Sequence, residues 1–143
     1  MFDLPTTRSF AEDTIGRFKL NDRINFISGD FVNDDIPGKY DVVWLSHILH
    51  GESPQNCHKM LQKALLVLEP GGMIIIHEFI LNNTKDGPLH PALFSLNMLL
   101  GARGGQSYSE GDLVDMLKQL DVKQIKRIPL GEYDESGIIT GIK

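Results

Sequence analysis

The chain has 143 residues, of which 41% are hydrophobic and 23% charged, a balance that suits one buried core and excludes disordered or fibrous classes. Its formal net charge of -5 leaves no basic surplus for nucleic acid phosphates, and the single Cys57 cannot close an internal disulfide. No cationic start followed by an apolar run marks a secretion signal, and the most apolar segment, MIIIHEFIL, is too short to cross a bilayer as a helix. The expectation is a single domain over 1–143, cytoplasmic, with no nucleic acid partner and no membrane.

The opening MFDLP reads as the tail of a strand: Met1 and Phe2 are its last apolar residues, Asp3 ends it, and Leu4-Pro5 lead toward a helix. RINFISGD follows the turn pair Asn21-Asp22 and stops at Gly29, so it predicts a strand with Asp30 just past its end. YDVVWLS follows Pro37-Gly38 and is almost continuously apolar, the pattern of a parallel-sheet strand covered on both faces. Ser53 and Pro54 suit the cap and first position of a helix. Within it Cys57, Met60, Leu61, Ala64, Leu65 and Leu68 recur on one helical stripe, which makes Cys57 a core residue. EPGG ends that helix as a turn, and MIIIHEFIL follows as another strand, completing a strand-helix-strand unit. After the polar loop NNTKDGP, HPALFSLNMLL predicts a helix, and the glycine-rich GARGGQ a mobile or tightly turned segment. Ser109 and Asp112 form a capping box for a further helix. VKQIKRI and SGIITGI, separated by a Gly-containing polar turn, predict an antiparallel pair at a sheet edge.

Polar residues gather where these strands end. Asp3, Asp30, the group from Ser46 to His50, and His77 with Glu78 each lie at or just beyond the carboxyl end of an apolar run. Open α/β sheets bind ligands outside that edge. An acid ending an early strand can accept ribose hydroxyls, and Asp30 followed by Phe31 can offer a carboxylate to an exocyclic amine and an aromatic face to a purine. Taken singly, each acid is more often an ordinary turn or cap. His50 can take a proton from a hydroxyl, with Glu78 fixing its tautomer from the next strand. His47, His50, His77 and Glu78 are also adequate metal ligands, but no dense motif such as HExxH occurs. No metal is expected, and His47, His58 and His77 are read as structural.

In series, FDLP, DRINFISGDF, YDVVWLSHILHGES, CHKMLQKALLVLEPGGMIIIHEFIL and ALFSLNMLLGARGGQSYSEGDL resemble the catalytic domain of the small-molecule O-methyltransferases, a family that includes plant phenolic, hydroxyindole and bacterial polyketide enzymes. The resemblance covers nearly the whole chain. It implies an α/β, Rossmann-like class I methyltransferase sheet flanked by helices, truncated at its N-terminus and finished by an antiparallel strand pair. It also implies the cofactor S-adenosylmethionine, with S-adenosylhomocysteine as product, and a small-molecule hydroxyl acceptor.

Carried over position by position, Asp3 matches the ribose-binding acid, Asp30 and Phe31 the adenine contacts, and Ser46 a polar residue near the cofactor. His50 matches the general base and Glu78 one of the acids that hold it, while Asn97 and Met98 match a helix lining the acceptor pocket.

Three departures from the pattern stand out. Gly51 and Glu52 follow His50 where the family has an acidic residue and Trp; Ser107 stands where a second acid is common; and no GxGxG loop occurs in the chain. The resemblance therefore implies that Met1 is internal to a longer reading frame, that a strand is lacking mid-sheet, and that the chain alone binds cofactor weakly or not at all. The alternative is a non-catalytic module of the same fold that pairs with another chain, as a homodimer or by strand exchange.

Overall fold

The structure is a computed structural model describing residues 1–130 and 136–143. These residues form two compact units, 1–38 and 39–143.

In the first unit β1 (Phe2–Asp3) pairs in parallel with β2 (Ile27–Ser28), Phe2 opposite Ile27 and Asp3 opposite Ser28. The predicted strand RINFISGD is thus reduced to two residues. A ladder can be no longer than its partner: the Ile27 amide donates to the Met1 carbonyl at 2.8 Å and the Gly29 amide to the Asp3 carbonyl at 2.9 Å, where the pairing ends. Gly29 leaves room there for the Phe2 ring, which a Cβ at that position would have to displace. Between the strands a short 3-10 turn leads into α1 (Arg8–Arg17), whose one buried residue is Ile15.

The second unit carries β3 (Tyr40–Ser46), α2 (Pro54–Val67), β4 (Leu68–Phe79), α3 (Leu89–Gly101), α4 (Glu110–Gln119), β5 (Lys123–Pro129) and β6 (Ser136–Ile142). Its sheet runs β3-β4-β6-β5, with β3 and β4 parallel and the β4-β6 and β6-β5 pairs antiparallel. The strand-helix-strand unit and the antiparallel C-terminal pair are as the sequence predicts; the turn proposed between β5 and β6 lies outside the described residues.

Two boundaries differ. EPGG is not a simple turn but the opening of β4, where the register jumps from Tyr40 opposite Leu68 to Val42 opposite Met73. Gly71, at φ +80°, and Gly72, whose Cβ would meet the Glu69 and Asp41 carbonyls at 2.9 and 3.0 Å, make that bulge sterically feasible. Leu68 accordingly leaves the helix and is buried as the first residue of β4.

The core of this unit lies on one face of the sheet. Ile74 and Ile76 of β4 and Ile139 of β6 are buried, as are Cys57, Met60, Leu61, Ala64 and Leu65 of α2, which contacts β4, and Leu113 and Leu117 of α4, which contacts β5 and β6. The opposite face is open along β3, where Val42 is 50% and Trp44 59% exposed. YDVVWLS is therefore a strand as predicted, but covered on one face, not both. Its outer edge has no strand partner among the described residues of the unit. No described helix is long and apolar enough to cross a membrane.

Candidate active site

In the second unit, the parallel register of β3 and β4 sets Ser46 opposite His77, so the loop after β3 and the end of β4 share one edge. The chain leaves β3 through His47, at the left-handed φ of 50°, and enters a one-turn 3-10 helix, Leu49–Gly51, that presents His50 back toward β4. Glu78, only 2% exposed, meets it there. Glu78 Oε2 lies 2.8 Å from His50 Nδ1, while Oε1 accepts the Leu49 amide at 2.8 Å and the His50 amide at 3.3 Å. An ionised carboxylate only accepts, so the short contact requires the proton on Nδ1 and leaves Nε2 as the basic nitrogen.

The carbonyl side of His50 is fixed as well. The Gln106 amide donates to the His50 carbonyl at 2.9 Å, and the backbone at Gly105 runs so close that a Cβ would stand 2.7 Å from that oxygen. Of the two expectations for GARGGQ, a mobile or a tightly turned segment, this is the turned one, with Gly104 at φ +87°. Ser107, in the place of the second acid, is buried. Its Oγ donates to the Pro91 carbonyl at 2.9 Å and its amide to Ser95 Oγ at 3.1 Å, so it ties the loop to α3 instead of supplying a charge to His50.

Around His50 stands a set of rings the sequence reading missed. Phe94 of α3 packs edge-on at 4.8 Å, and Phe79 lies 4.9 Å from Phe94 and 4.6 Å from both His47 and His90. The available signal was the spacing of Phe94 one helical turn before Asn97 and Met98. Those two residues are on the same helix, Asn97 exposed and Met98 half-buried. Ser46 Oγ lies 3.3 Å from His77 Nδ1, and His77 Nε2 lies 3.0 Å from Ser136 Oγ, the hydrogen bonding expected of a structural histidine. His47, also read as structural, instead joins the His50 and Glu78 cluster, its Nδ1 3.8 Å from Glu78 Oε2. His58 lies apart, lining an open groove of about 760 Å³ with Lys59, Lys85, Tyr108 and Asp112.

The first unit holds the other candidates. Asp3 is the last residue of β1, and Asp30 lies two residues beyond the end of the adjacent parallel strand β2. Asp3 Oδ1 accepts the Leu4 amide at 2.7 Å. Asp30 is the more heavily engaged: Oδ1 takes the Val32 and Asn33 amides at 2.8 and 3.1 Å, and Oδ2 the Asn33 side chain at 2.7 Å, an Asx-type turn that also sets the backbone of Phe31.

A family model described as an O-methyltransferase domain matches residues 1–121, across both units. The chain belongs to that family. This O-methyltransferase-family chain is 30% identical over 141 residues to a 3-hydroxy-5-methyl-1-naphthoate 3-O-methyltransferase of Streptomyces sahachiroi, covering 99% of the chain and 41% of the relative. It is 31% identical over 146 residues to an L-tyrosine C(3)-methyltransferase of Streptomyces lavendulae, covering 100% of the chain and 40% of the relative. Among solved structures, PigF with SAH superposes with a TM-score of 0.89 at 29% identity, over 99% of the chain and 42% of that protein. The chain thus spans about two fifths of the length of the relatives it matches. The fold of this O-methyltransferase-family chain is of the Rossmann-like class I type implied by the resemblance.

Proposed function

We propose that the chain is the acceptor-side portion of a methyltransferase that moves a methyl group from S-adenosylmethionine to a hydroxyl of a small aromatic or polyketide-like molecule, with His50 as general base. The observation that carries this reading is the 2.8 Å contact of Glu78 with His50 Nδ1, which leaves Nε2 to receive a proton. Phe79 and Phe94 beside the imidazole suit a planar acceptor, as does the naphthoate in the name of one relative.

By the family resemblance, Asp3, Asp30 and Phe31 of the first unit are candidates to hold the cofactor's ribose and adenine, and Ser46 of the second unit is a separate candidate for contact with it. Asp3 at the end of β1 suits ribose hydroxyls, and Asp30, whose carboxylate also holds the turn after the adjacent parallel strand, stands at the position suited to an exocyclic amine. Bound, the cofactor supplies an electrophilic methyl on a positively charged sulfur. The chain's own part is to position the acceptor beside His50, to accept its hydroxyl proton at Nε2, and to stabilise the resulting imidazolium through Glu78. Asn97 and Met98 of α3 complete the acceptor side. Orientation of two reactants in this way is worth roughly 7–11 kcal/mol of barrier. The site lies in a cytoplasmic protein on this reading.

In a preparation that turns over, His50→Gln should lower kcat by about 10²–10⁴-fold, with cofactor affinity by calorimetry unchanged. Turnover equal to the native enzyme would sink the base assignment. The second relative, named for methylation at carbon, makes product analysis the companion experiment: a C-methylated product would move the acceptor atom from oxygen to carbon.

A second reading is favoured by one observation, the open edge and face of β3 with Val42 and Trp44 exposed. On it, the chain by itself is a binding module that takes a strand from another chain, as a homodimer or by exchange. A monomer at all concentrations in sedimentation would argue against this.

A further inference from the structure

We infer that His47, His50 and Glu78 form a binding site for a zinc-type divalent cation, and that occupancy of this site is incompatible with His50 acting as a base. The site uses two residues of the proposed catalytic pair, but its third member, His47, has no part in that reading.

The donor set is two imidazoles and one carboxylate, the combination that holds zinc in three-ligand sites with a fourth position open. Their ligand atoms all lie within 4.8 Å of one another. Two of the separations are centred on one oxygen, Glu78 Oε2: 2.8 Å to His50 Nδ1 and 3.8 Å to His47 Nδ1. Ligand atoms around a tetrahedral ion with bonds of about 2.0–2.2 Å stand about 3.4 Å apart, so the two measured separations bracket the required one. Closing the set requires the His50–Glu78 pair to open and the His47–Glu78 pair to shorten, each by about 0.5 Å.

The surroundings hold these donors in place without the ion. His47 is turned toward Glu78 by its left-handed backbone, and its ring sits 4.4 Å from His77 and 4.6 Å from Phe79. Phe94 packs on His50 at 4.8 Å. Glu78 is oriented through its other oxygen, which accepts the Leu49 and His50 amides. Such outer contacts fix a ligand's direction and lower the ordering cost of binding. Two nitrogens and a single carboxylate select ions of the zinc, copper and nickel group over magnesium or calcium, which prefer oxygen throughout.

The consequence for His50 follows from proton placement. A cation on Nδ1 needs that nitrogen's lone pair, so the proton now on Nδ1 is transferred through solvent to Nε2. The ring stays neutral overall, and no redox change or bond cleavage other than N–H is involved. Nε2 then carries a hydrogen and has no lone pair for an acceptor's proton. The cation is thus an inhibitory ligand and not a resident cofactor of the proposed reaction.

The test is calorimetric titration of the chain with zinc chloride, with magnesium chloride as the hard-ion control. One saturable zinc site is expected, at least about tenfold weaker in His47→Asn and unchanged in His58→Gln. Asn tolerates the left-handed backbone at position 47, so equal thermal melting of the metal-free variant and native chain should accompany the loss. Cobalt substitution should give the intense visible bands of a four-coordinate ion in the native chain and not in His47→Asn. No saturable zinc binding, or equal affinity in His47→Asn, overturns the site. The incompatibility rests on the proposed function and fails separately from it: zinc that binds yet leaves turnover of an active preparation untouched, where His50→Gln abolishes turnover, overturns the incompatibility alone, while turnover retained in His50→Gln overturns the base assignment.

Discussion

Replacing Glu78 by Ala and by Gln separates the two tasks of this carboxylate. In the native chain it satisfies three donors: the Leu49 amide at 2.8 Å, the His50 amide at 3.3 Å and His50 Nδ1 at 2.8 Å. Glu78→Ala strands all three. Leu49 is fully buried, so its amide cannot turn to water and costs about 1–3 kcal/mol when left alone. His50, with its side chain 16% exposed, recovers part of its loss through solvent. With the space left by the side chain, the total comes to about 3–5 kcal/mol, a large share of the 5–15 kcal/mol typical of a domain.

Glu78→Gln keeps an oxygen for the two amides but sets an NH2 group opposite His50 Nδ1. Two N–H groups cannot face each other at 2.8 Å, so the neutral ring must carry its proton on Nε2 instead. That exchange costs about 1–2 kcal/mol. Urea denaturation should therefore rank native above Gln above Ala. Nitrogen-15 shifts of the His50 ring should report the Nδ1–H tautomer in the native chain and the Nε2–H tautomer in the Gln variant. In an active preparation the Gln variant should lose about 10²–10⁴ in kcat, since Nε2 no longer accepts a proton. A ring that stays Nδ1–H beside Gln, or an Ala variant as stable as the native chain, would refute the reasoning.

Gly105→Ala places a methyl 2.7 Å from the His50 carbonyl and 2.8 Å from the Ala102 Cβ; it should cost about 1–3 kcal/mol in urea denaturation and shift the His50 ring resonances, and unchanged shifts would count against the close approach. Burial pushes the Cys57 thiol up from 9.0 to about 11, so the folded state holds this proton more tightly than the unfolded one. Its stabilisation is complete below pH 9 and is lost as pH rises through about 11, a fall of about 2–3 kcal/mol that denaturation at pH 8 to 11 should record; a flat profile would contradict it. Burial shifts the Tyr108 hydroxyl upward too, which acts in the same alkaline direction. Trp44, the sole tryptophan and 59% exposed, should emit as a solvated indole and be quenched by iodide, and a strand partner added along β3 should blue-shift and protect it; blue emission from a dilute monomer would rule out the open face.

Much of this architecture was legible because local signals and tertiary contacts agree. Ser53 caps α2 through the Asn56 amide, with Pro54 at the first position, and Ser109 with Asp112 closes a reciprocal capping box on α4. The stripe from Cys57 to Leu65 buries as its spacing implies, and the pairing of His50 with Glu78 follows from two parallel strands delivering polar residues to one edge. The misses have a common cause. They depend on what a residue meets across space, and spacing along the chain carries no such information. RINFISGD has the composition of a longer strand, yet it pairs only as far as its two-residue partner allows. His47 looks like one more structural histidine until its left-handed backbone turns it onto Glu78. The turn that the Asp30 carboxylate holds, through the Val32 amide and the Asn33 side chain, is equally invisible in spacing.

β3 makes the same point in energetic form. Its sequence is that of a strand with apolar neighbours on both sides, and in this unit Leu45 is buried while Val42 and Trp44 face outward. Composition encodes the burial a strand is suited to; the exposure of Val42 and Trp44 reports the burial it receives from the residues present. Both side chains are about half exposed, so completing their burial is worth about half of the roughly 1.5–3 kcal/mol of a full transfer each, and that remainder is a measure of unused binding free energy. That energy is localised beside the edge bearing Ser46, His47 and His50. A partner strand laid along β3 would therefore act on the candidate site as well as on stability, by stiffening the strand whose carboxyl end sets the position of His50.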